Sequence, residues 1–215
     1  MAAEPERHEL HHQDETHLET NPYLSRVWHR RGRQPTRPAV GCNRRLTVFG
    51  SVEVGGRGRV EVITARQDSA GFLRYLEVLE ARHQATGKEI HLALDNGPCH
   101  RSKVSQAALA ARAEWLHVIW FAPYSPQLNR KEREWRWLKR DARSHLAPTL
   151  RAFVDGIAQG LRQLGGERLD IVDQVPPWWL DGHRTEPTGR PAGRPKGAND
   201  SYKRAPYRKN LPAHT

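Results

Sequence analysis

The sequence predicts an α/β fold: a sheet of mixed strand direction flanked by helices. Two observations carry that expectation. Leu46 to Val54 and Val60 to Ala65 alternate apolar and polar residues around Gly55-Gly56-Arg57-Gly58, which reads as an antiparallel hairpin. Further on, two short apolar runs, Ile90 to Leu94 and Trp115 to Phe121, are separated by an Ala-rich helical stretch over 102–113. A strand–helix–strand order after a hairpin indicates a sheet of mixed direction. The chain has 215 residues, 37% of them hydrophobic, enough for one domain with its own core.

Taken in order, residues 22–45 are rich in Arg, Pro and Gly and read as a long loop leading to the hairpin. From Ser69 to about Ala85, Phe72, Leu73, Tyr75, Leu76 and Leu79 recur at helical spacing, with Asp68 or Ser69 as the cap. The strand Ile90 to Leu94 stops at Asp95-Asn96-Gly97-Pro98, a strong turn signal. The strand Trp115 to Phe121 closes at Ala122-Pro123, and helices follow over about 128–146 and 150–164. Residues 183–215 hold 5 Pro and 3 Gly, with Leu211 the one large aliphatic side chain. Such a segment cannot build a core. The expected division is a folded domain over 1–175 and a Pro/Gly/basic tail over 176–215.

Composition excludes several classes of function. No run approaches the roughly 18 apolar residues of a membrane-spanning helix, and the acidic start Met-Ala-Ala-Glu-Pro-Glu-Arg is not a secretory signal. Cys42 and Cys99 are too few for a disulfide scaffold. A soluble cytoplasmic protein, associated with the nucleoid, is the expectation. Net charge is +11, and it is unevenly placed: −5 over 1–20, +8 over 21–60, −2 over 61–100, +6 over 101–150, −2 over 151–182 and +6 over 183–215. Alternating basic blocks suit a nucleic-acid groove better than a uniform coat. Because 28 of the 35 basic residues are Arg, codon composition is the competing reading.

Three acidic positions stand where chemistry could use them. Asp95 ends a strand, the sheet edge where α/β folds bind ligands, although turn chemistry also explains it. Glu132 borders the apolar stripe of its helix, with dipole complementation as the alternative. Glu134 is a rival that periodicity does not eliminate. Asp14-Glu15 lies in a polar, His-rich segment. Three acids converging from separate elements would give hard Mg²⁺ the oxygen donors it needs for phosphodiester chemistry. His8, His11, His12 and His17 offer a competing transition-metal cluster, without a Cys at finger spacing.

Leu94-Asp95-Asn96-Gly97-Pro98-Cys99-His100 resembles the second-acid motif of DDE transposases of the mariner superfamily, in its bacterial insertion-sequence branch. Phe121-Ala122-Pro123-Tyr124-Ser125-Pro126-Gln127-Leu128-Asn129, followed by Glu132 and Trp135, resembles the run leading to the third acid. Between Asp95 and Glu132 lie 36 residues, within the family's spread, and the motif register selects Glu132 over Glu134. Asp14-Glu15-Thr16, with Trp28 and Arg31-Gly32 beyond, resembles the first-acid segment. The resemblance covers about residues 10–165. It implies a ribonuclease-H-like fold and metal-dependent DNA cleavage followed by strand transfer at insertion-sequence ends. Asp14, Asp95 and Glu132 would hold two Mg²⁺ (or Mn²⁺) ions, with Asn96, His100 and Asn129 positioning them or the substrate. It also implies double-stranded DNA as partner and work as a homodimer. An inactive DNA-binding remnant and a ribonuclease-H-like nuclease without strand transfer are the alternatives.

The chain departs from the family pattern in places. Asn129 is usually followed by Pro and an aliphatic residue, here by Arg130-Lys131, and Gln127 replaces a commoner acid. The strand before Asp14 is expected to be apolar, yet Glu9-Leu10-His11-His12-Gln13 is polar. The helix-turn-helix region that precedes such domains has no counterpart, so the chain is expected to be the catalytic part alone. Candidate DNA-binding residues are Arg30, Arg31, Arg33, Lys131, Arg136, Lys139, Arg140 and Arg194. Gly189-Arg190-Pro191 and Gly193-Arg194-Pro195-Lys196 weakly resemble an AT-hook, since Thr188 and Ala192 stand where it has Arg. A solvated basic tail is the plainer reading.

Overall fold

The computed structural model describes residues 6–21, 31–32, 42–122, 129–144, 147–168 and 171–182. Its strands are β1 (His8–Glu19), β2 (Arg45–Glu53), β3 (Gly58–Thr64), β4 (Glu89–Leu94), β5 (Leu116–Trp120), β6 (Glu167–Arg168) and β7 (Val172–Asp173). Its helices are α1 (Ser69–Thr86), α2 (Pro98–Arg101), α3 (Lys103–Ala110), α4 (Lys131–Ser144), α5 (Leu150–Gln163) and α6 (Pro177–Leu180). The sheet order is β5-β4-β1-β2-β3-β6, with β7 also on β3. β1, β4 and β5 run parallel, while β2 is antiparallel to both β1 and β3. This is the mixed sheet the sequence predicts, with hairpin and parallel pair joined through β1.

Each sheet face buries its own core. On one, α1 sets Phe72, Tyr75, Leu76 and Leu79 against Phe49, Val60, Val62 and the apolar residues of β4. Asp68 caps this helix, its side chain accepting from the Gly71 N–H at 2.9 Å, and Gly87 ends it at φ 68°. That left-handed backbone suits glycine. On the other face, Leu138 of α4 and Phe153, Val154, Ile157 and Leu161 of α5 cover Leu18, Leu46, Val48 and Ile63. Trp179 joins this core at 3% exposure. The folded part therefore runs past the expected boundary at 175, because α6 buries an indole rather than opening a tail. Residues 183–215 lie outside the described residues.

β1 sits mid-sheet although its sequence is polar, and the structure shows how. Glu9, His11 and Gln13 are buried, and a buried charge is tolerable only when paired and hydrogen-bonded. Arg82 of α1 donates to Glu9 from Nε at 2.7 Å and from Nη2 at 2.8 Å. The His11 ring links Glu9 (3.0 Å) to Ser51 Oγ (3.0 Å). Burial alone would raise the Glu9 carboxyl, but its bonds to His11 and Arg82 hold it down at about 2. Burial pushes the His11 imidazole down.

Two expected elements differ from those observed. The helix expected over 102–113 is observed as α3, capped by Ser102, and a further short helix, α2, opens at Pro98 inside the expected turn. The helix expected from about 128 is observed from Lys131, after Asn129 turns its side chain back to accept from the Lys131 N–H at 3.0 Å.

Candidate active site

The sheet register brings the first two acids level. Asp14 lies opposite Gly50 of β2. On the other side His12 pairs in parallel with Ala93, two residues before Asp95 leaves the end of β4. Strand alternation sends His12, Asp14 and Thr16 to one face of β1 and His11, Gln13 and Glu15 to the other. The N-terminal histidines are therefore divided between the faces: His8 and His12 on one, His11 and His17 on the other. They do not form the single transition-metal cluster that the sequence left open.

Glu132, the second residue of α4, is held to β1 by its neighbours. Asn129 donates from Nδ2 to the Gln13 carbonyl at 2.8 Å while capping the Lys131 N–H, so one side chain ties the helix start to the residue before Asp14. The Arg130 N–H reaches His12 Nδ1 at 3.4 Å. The helix also lies very close to β2. A Cβ built on Gly50 would stand 2.7 Å from Trp135 Cη2 and 2.9 Å from Lys131 Cε. Glycine is required here by close approach.

Lys131 corrects one expectation. Its side chain is fully buried rather than offered to DNA, with Nζ 2.8 Å from Glu61 Oε1 and 2.9 Å from Glu134 Oε2. Arg168 Nε closes on Glu61 Oε2 at 3.2 Å, and Arg59 donates to Glu134 at 2.6 Å. The cluster also gives the two glutamates different environments. Burial would raise Glu134, but Lys131 and Arg59 hold it below the ordinary carboxylate value. Glu134 is a neutralised anchor, whereas Glu132 is exposed. The sequence gives no sign of this cluster, since Glu61 and Lys131 are 70 residues apart.

The Asp14 carboxyl is pushed up to about 7, first by burial, then by Glu15 and by the charges of Glu132 and Asp95, against a backbone hydrogen bond that lowers it. Glu132 and Asp95 are thus near enough to Asp14 to add to the effect of burial and of Glu15. Asp95 is held below its usual value chiefly by a hydrogen bond from His100, with burial opposing and the Gly97 N–H assisting at 2.9 Å. The buried His100 ring reaches Asp95 Oδ1 from Nδ1 at 2.9 Å and Glu15 Oε1 from Nε2 at 2.8 Å. Burial would lower this imidazole, but bonds to Asp95, Cys99 and Glu15 push it up to about 12. It is therefore an imidazolium bridging two carboxylates. Ligand atoms of Glu15, Cys99 and His100 lie within 4.8 Å of one another, yet both ring nitrogens are already committed. Asp14, Asp95 and Glu132 carry oxygen donors, the type a hard divalent cation takes, but among the described residues they do not form a second such cluster of ligand atoms. Sequence reasoning missed Glu15 as the second partner of His100; its one signal is its place beside Asp14 on an alternating strand.

Asn96 holds the loop after Asp95. Its Oδ1 accepts from Arg101 Nε at 3.0 Å, and its Nδ2 donates to the Phe121 carbonyl at 3.4 Å. Arg101 in turn lies 3.6 Å over the Trp120 ring. Of the remaining basic candidates, Arg31, Arg136 and Arg140 are exposed and Lys139 is half-buried. Arg30, Arg33 and Arg194 lie outside the described residues, as do Trp28 and the Pro123–Leu128 run. A cavity of about 480 Å³ adjoins Glu132 between the β2–β3 turn and α4. Among the described residues no helix is long and apolar enough to cross a membrane.

Comparison with solved structures returns a Mos1 transposase paired-end complex with left transposon end at 17% identity and TM-score 0.44, covering 79% of this chain and 45% of that one. It also returns a simian T-cell lymphotropic virus intasome in complex with PP2A regulatory subunit B56 gamma, at 19% identity and TM-score 0.48, covering 89% and 59%. An HTLV-2 integrase catalytic core domain in complex with magnesium matches at 16% identity and TM-score 0.47, covering 76% and 88%. The match thus spans about half the length of the Mos1 chains. No curated protein matches the sequence. The family model for the DDE superfamily endonuclease matches residues 9–153, which contain Asp14, Asp95 and Glu132. The chain belongs to the DDE superfamily endonuclease family.

Proposed function

We propose that this endonuclease domain is the catalytic part of a transposase of the bacterial insertion-sequence type, cutting double-stranded DNA at element ends and joining the freed end to target DNA. One observation carries the reading: register sets Asp14 of β1 level with Asp95 just beyond β4, and burial together with the charges of Glu15, Glu132 and Asp95 lifts the Asp14 carboxyl to about 7. In this reading Asp14, Asp95 and Glu132 hold two Mg²⁺ or Mn²⁺ ions. When bound, such ions supply Lewis-acid charge to the attacking and leaving oxygens of a phosphodiester.

The chain's own residues supply geometry. Asn129 fixes the start of α4 to Gln13, so Glu132 keeps its place beside Asp14. The His100 cation holds Asp95 from below and ties up Glu15, leaving the exposed side of Asp95 for the site. Arg31, Arg136, Lys139 and Arg140 would meet phosphates, and the protein would act as a dimer at the nucleoid.

Joining separates this reading from simple hydrolysis. Wild-type protein, a labelled oligonucleotide duplex with a free 3′-hydroxyl and supercoiled plasmid are incubated with Mn²⁺. The proposal expects label to become covalently attached to the plasmid, and no attachment with Asp95→Asn. Nicking without attachment makes the domain a nuclease; neither product, with DNA still bound, makes it a binding remnant.

A further inference from the structure

Three arginines on the first turns of α4 and the residue before it surround the cavity that adjoins Glu132. Arg130, Arg133 and Arg136 line it together with Arg59 and the β2–β3 turn at Val52, Glu53 and Gly56. Spaced by three, they fall on one side of a helix. Of the other charges that line the cavity, Glu132 is the exposed carboxylate assigned above to the metal, and the rest are paired. Arg59 donates to Glu134 at 2.6 Å, and Glu53 accepts from the Gly58 N–H at 2.7 Å and stands 3.8 Å from Arg82. By contrast, Arg130, Arg133 and Arg136 make no side-chain hydrogen bond or ion pair among the described residues. Three such cations around one concavity repel each other, and an anion entering it relieves that repulsion.

We propose that Arg130, Arg133 and Arg136 form a phosphate-binding subsite, holding a phosphodiester of the DNA strand that passes Glu132 toward the β2–β3 turn. The inference rests on the DNA-cutting reading above and adds the place where the strand is gripped. A volume of about 480 Å³ lies in the size range of sites that take a small ligand, which suits a nucleotide unit. The guanidinium fork matches two phosphate oxygens at once, which an ammonium cannot do. The subsite also gives a role to the unusual Arg130-Lys131 pair. Lys131 turns inward to Glu61, and Arg130 beside it lines the cavity. Glu132 follows directly, at the boundary of the anchor and the subsite.

The test uses the full chain and a duplex of arbitrary sequence, with affinity measured against salt. Removing one phosphate contact makes the slope of log K against log salt shallower by about 1. Arg130→Gln, Arg133→Gln and Arg136→Gln are each expected to weaken binding, and the triple variant to make the slope shallower by about 1, for the one phosphodiester held. Arg74→Gln on α1, on the opposite sheet face, is the charge control and should leave the slope unchanged. A second arm places the contact. On a duplex whose Mn²⁺-dependent nick has been mapped, uncharged methylphosphonates next to the nick should weaken the wild type and leave the triple variant unaffected. A triple-variant slope equal to wild type, with unchanged thermal stability, overturns the subsite. So does equal sensitivity to methylphosphonates. If the wild type nicks nothing, the DNA-cutting reading fails while the salt slope still decides the subsite.

Discussion

Asp14 ordinarily titrates at 3.8 and here is pushed up to about 7, so the folded chain holds a proton that the unfolded chain releases. With a raised value, the group's contribution to stability is present below about pH 4 and is lost as pH rises through about 7. In chelator at pH 8, Asp14→Asn is therefore expected to melt higher than wild type, which thermal denaturation checks. A divalent ion competes with that same proton. The stabilisation conferred by Mg²⁺ should accordingly grow between pH 6 and pH 8 in the wild type and vanish in Asp14→Asn. His100 follows the same sign in a higher pH window. Its raised value means the imidazolium stabilises fully below about 6.5 and loses that effect only as pH climbs toward about 12. His100→Asn leaves Glu15 without its cation and is expected to cost about 3–5 kcal/mol in urea unfolding near neutral pH. These histidine and carboxylate roles were partly legible in sequence. The motif named Asp95 and His100, but Glu15 acquires its partner only when β1 lies beside β4.

The element that decides the site is α4, and what holds it is a buried charge cluster resting on a glycine. Lys131→Met takes from buried Glu61 one of its two cations, leaving Arg168, and should cost about 3 kcal/mol. In the double variant Lys131→Met with Glu61→Gln, the loss should fall short of the sum of the singles by up to about 3 kcal/mol, a coupling that denaturant titrations measure. Gly50→Ala pushes against Trp135 and the Lys131 stem, so it should destabilise by about 1–3 kcal/mol and lower cleavage by shifting Glu132 from Asp14. The sequence made some elements plain and hid others. α5 shows its periodicity through Leu150, Phe153, Val154, Ile157 and Leu161, all buried on one stripe. β1 hides its burial because Glu9 and His11 depend on Arg82, which lies 73 residues from Glu9. Lys131 likewise looks like a solvated cation until β3 brings Glu61 beneath it.

At the scale of the whole molecule, the chain carries a net charge of +11 while its candidate site is built from carboxylates. Register sets Asp14 level with Asp95 beyond β4, and the core behind α4 and α5 seats the helix that carries Glu132. The long-range charge favours any polyanion; the carboxylates and the arginines beside Glu132 give it a direction. The most direct check is Mn²⁺-dependent nicking of supercoiled plasmid by the wild type and by Asp14→Asn, Asp95→Asn, Glu132→Gln and Glu134→Gln. Nicking by the wild type should be lost in the first three variants and persist within about tenfold of wild type in Glu134→Gln, whose carboxylate serves only as an anchor. Nicking that survives Glu132→Gln but disappears with Glu134→Gln, or that is untouched by Asp14→Asn and Asp95→Asn, would contradict a site built from Asp14, Asp95 and Glu132.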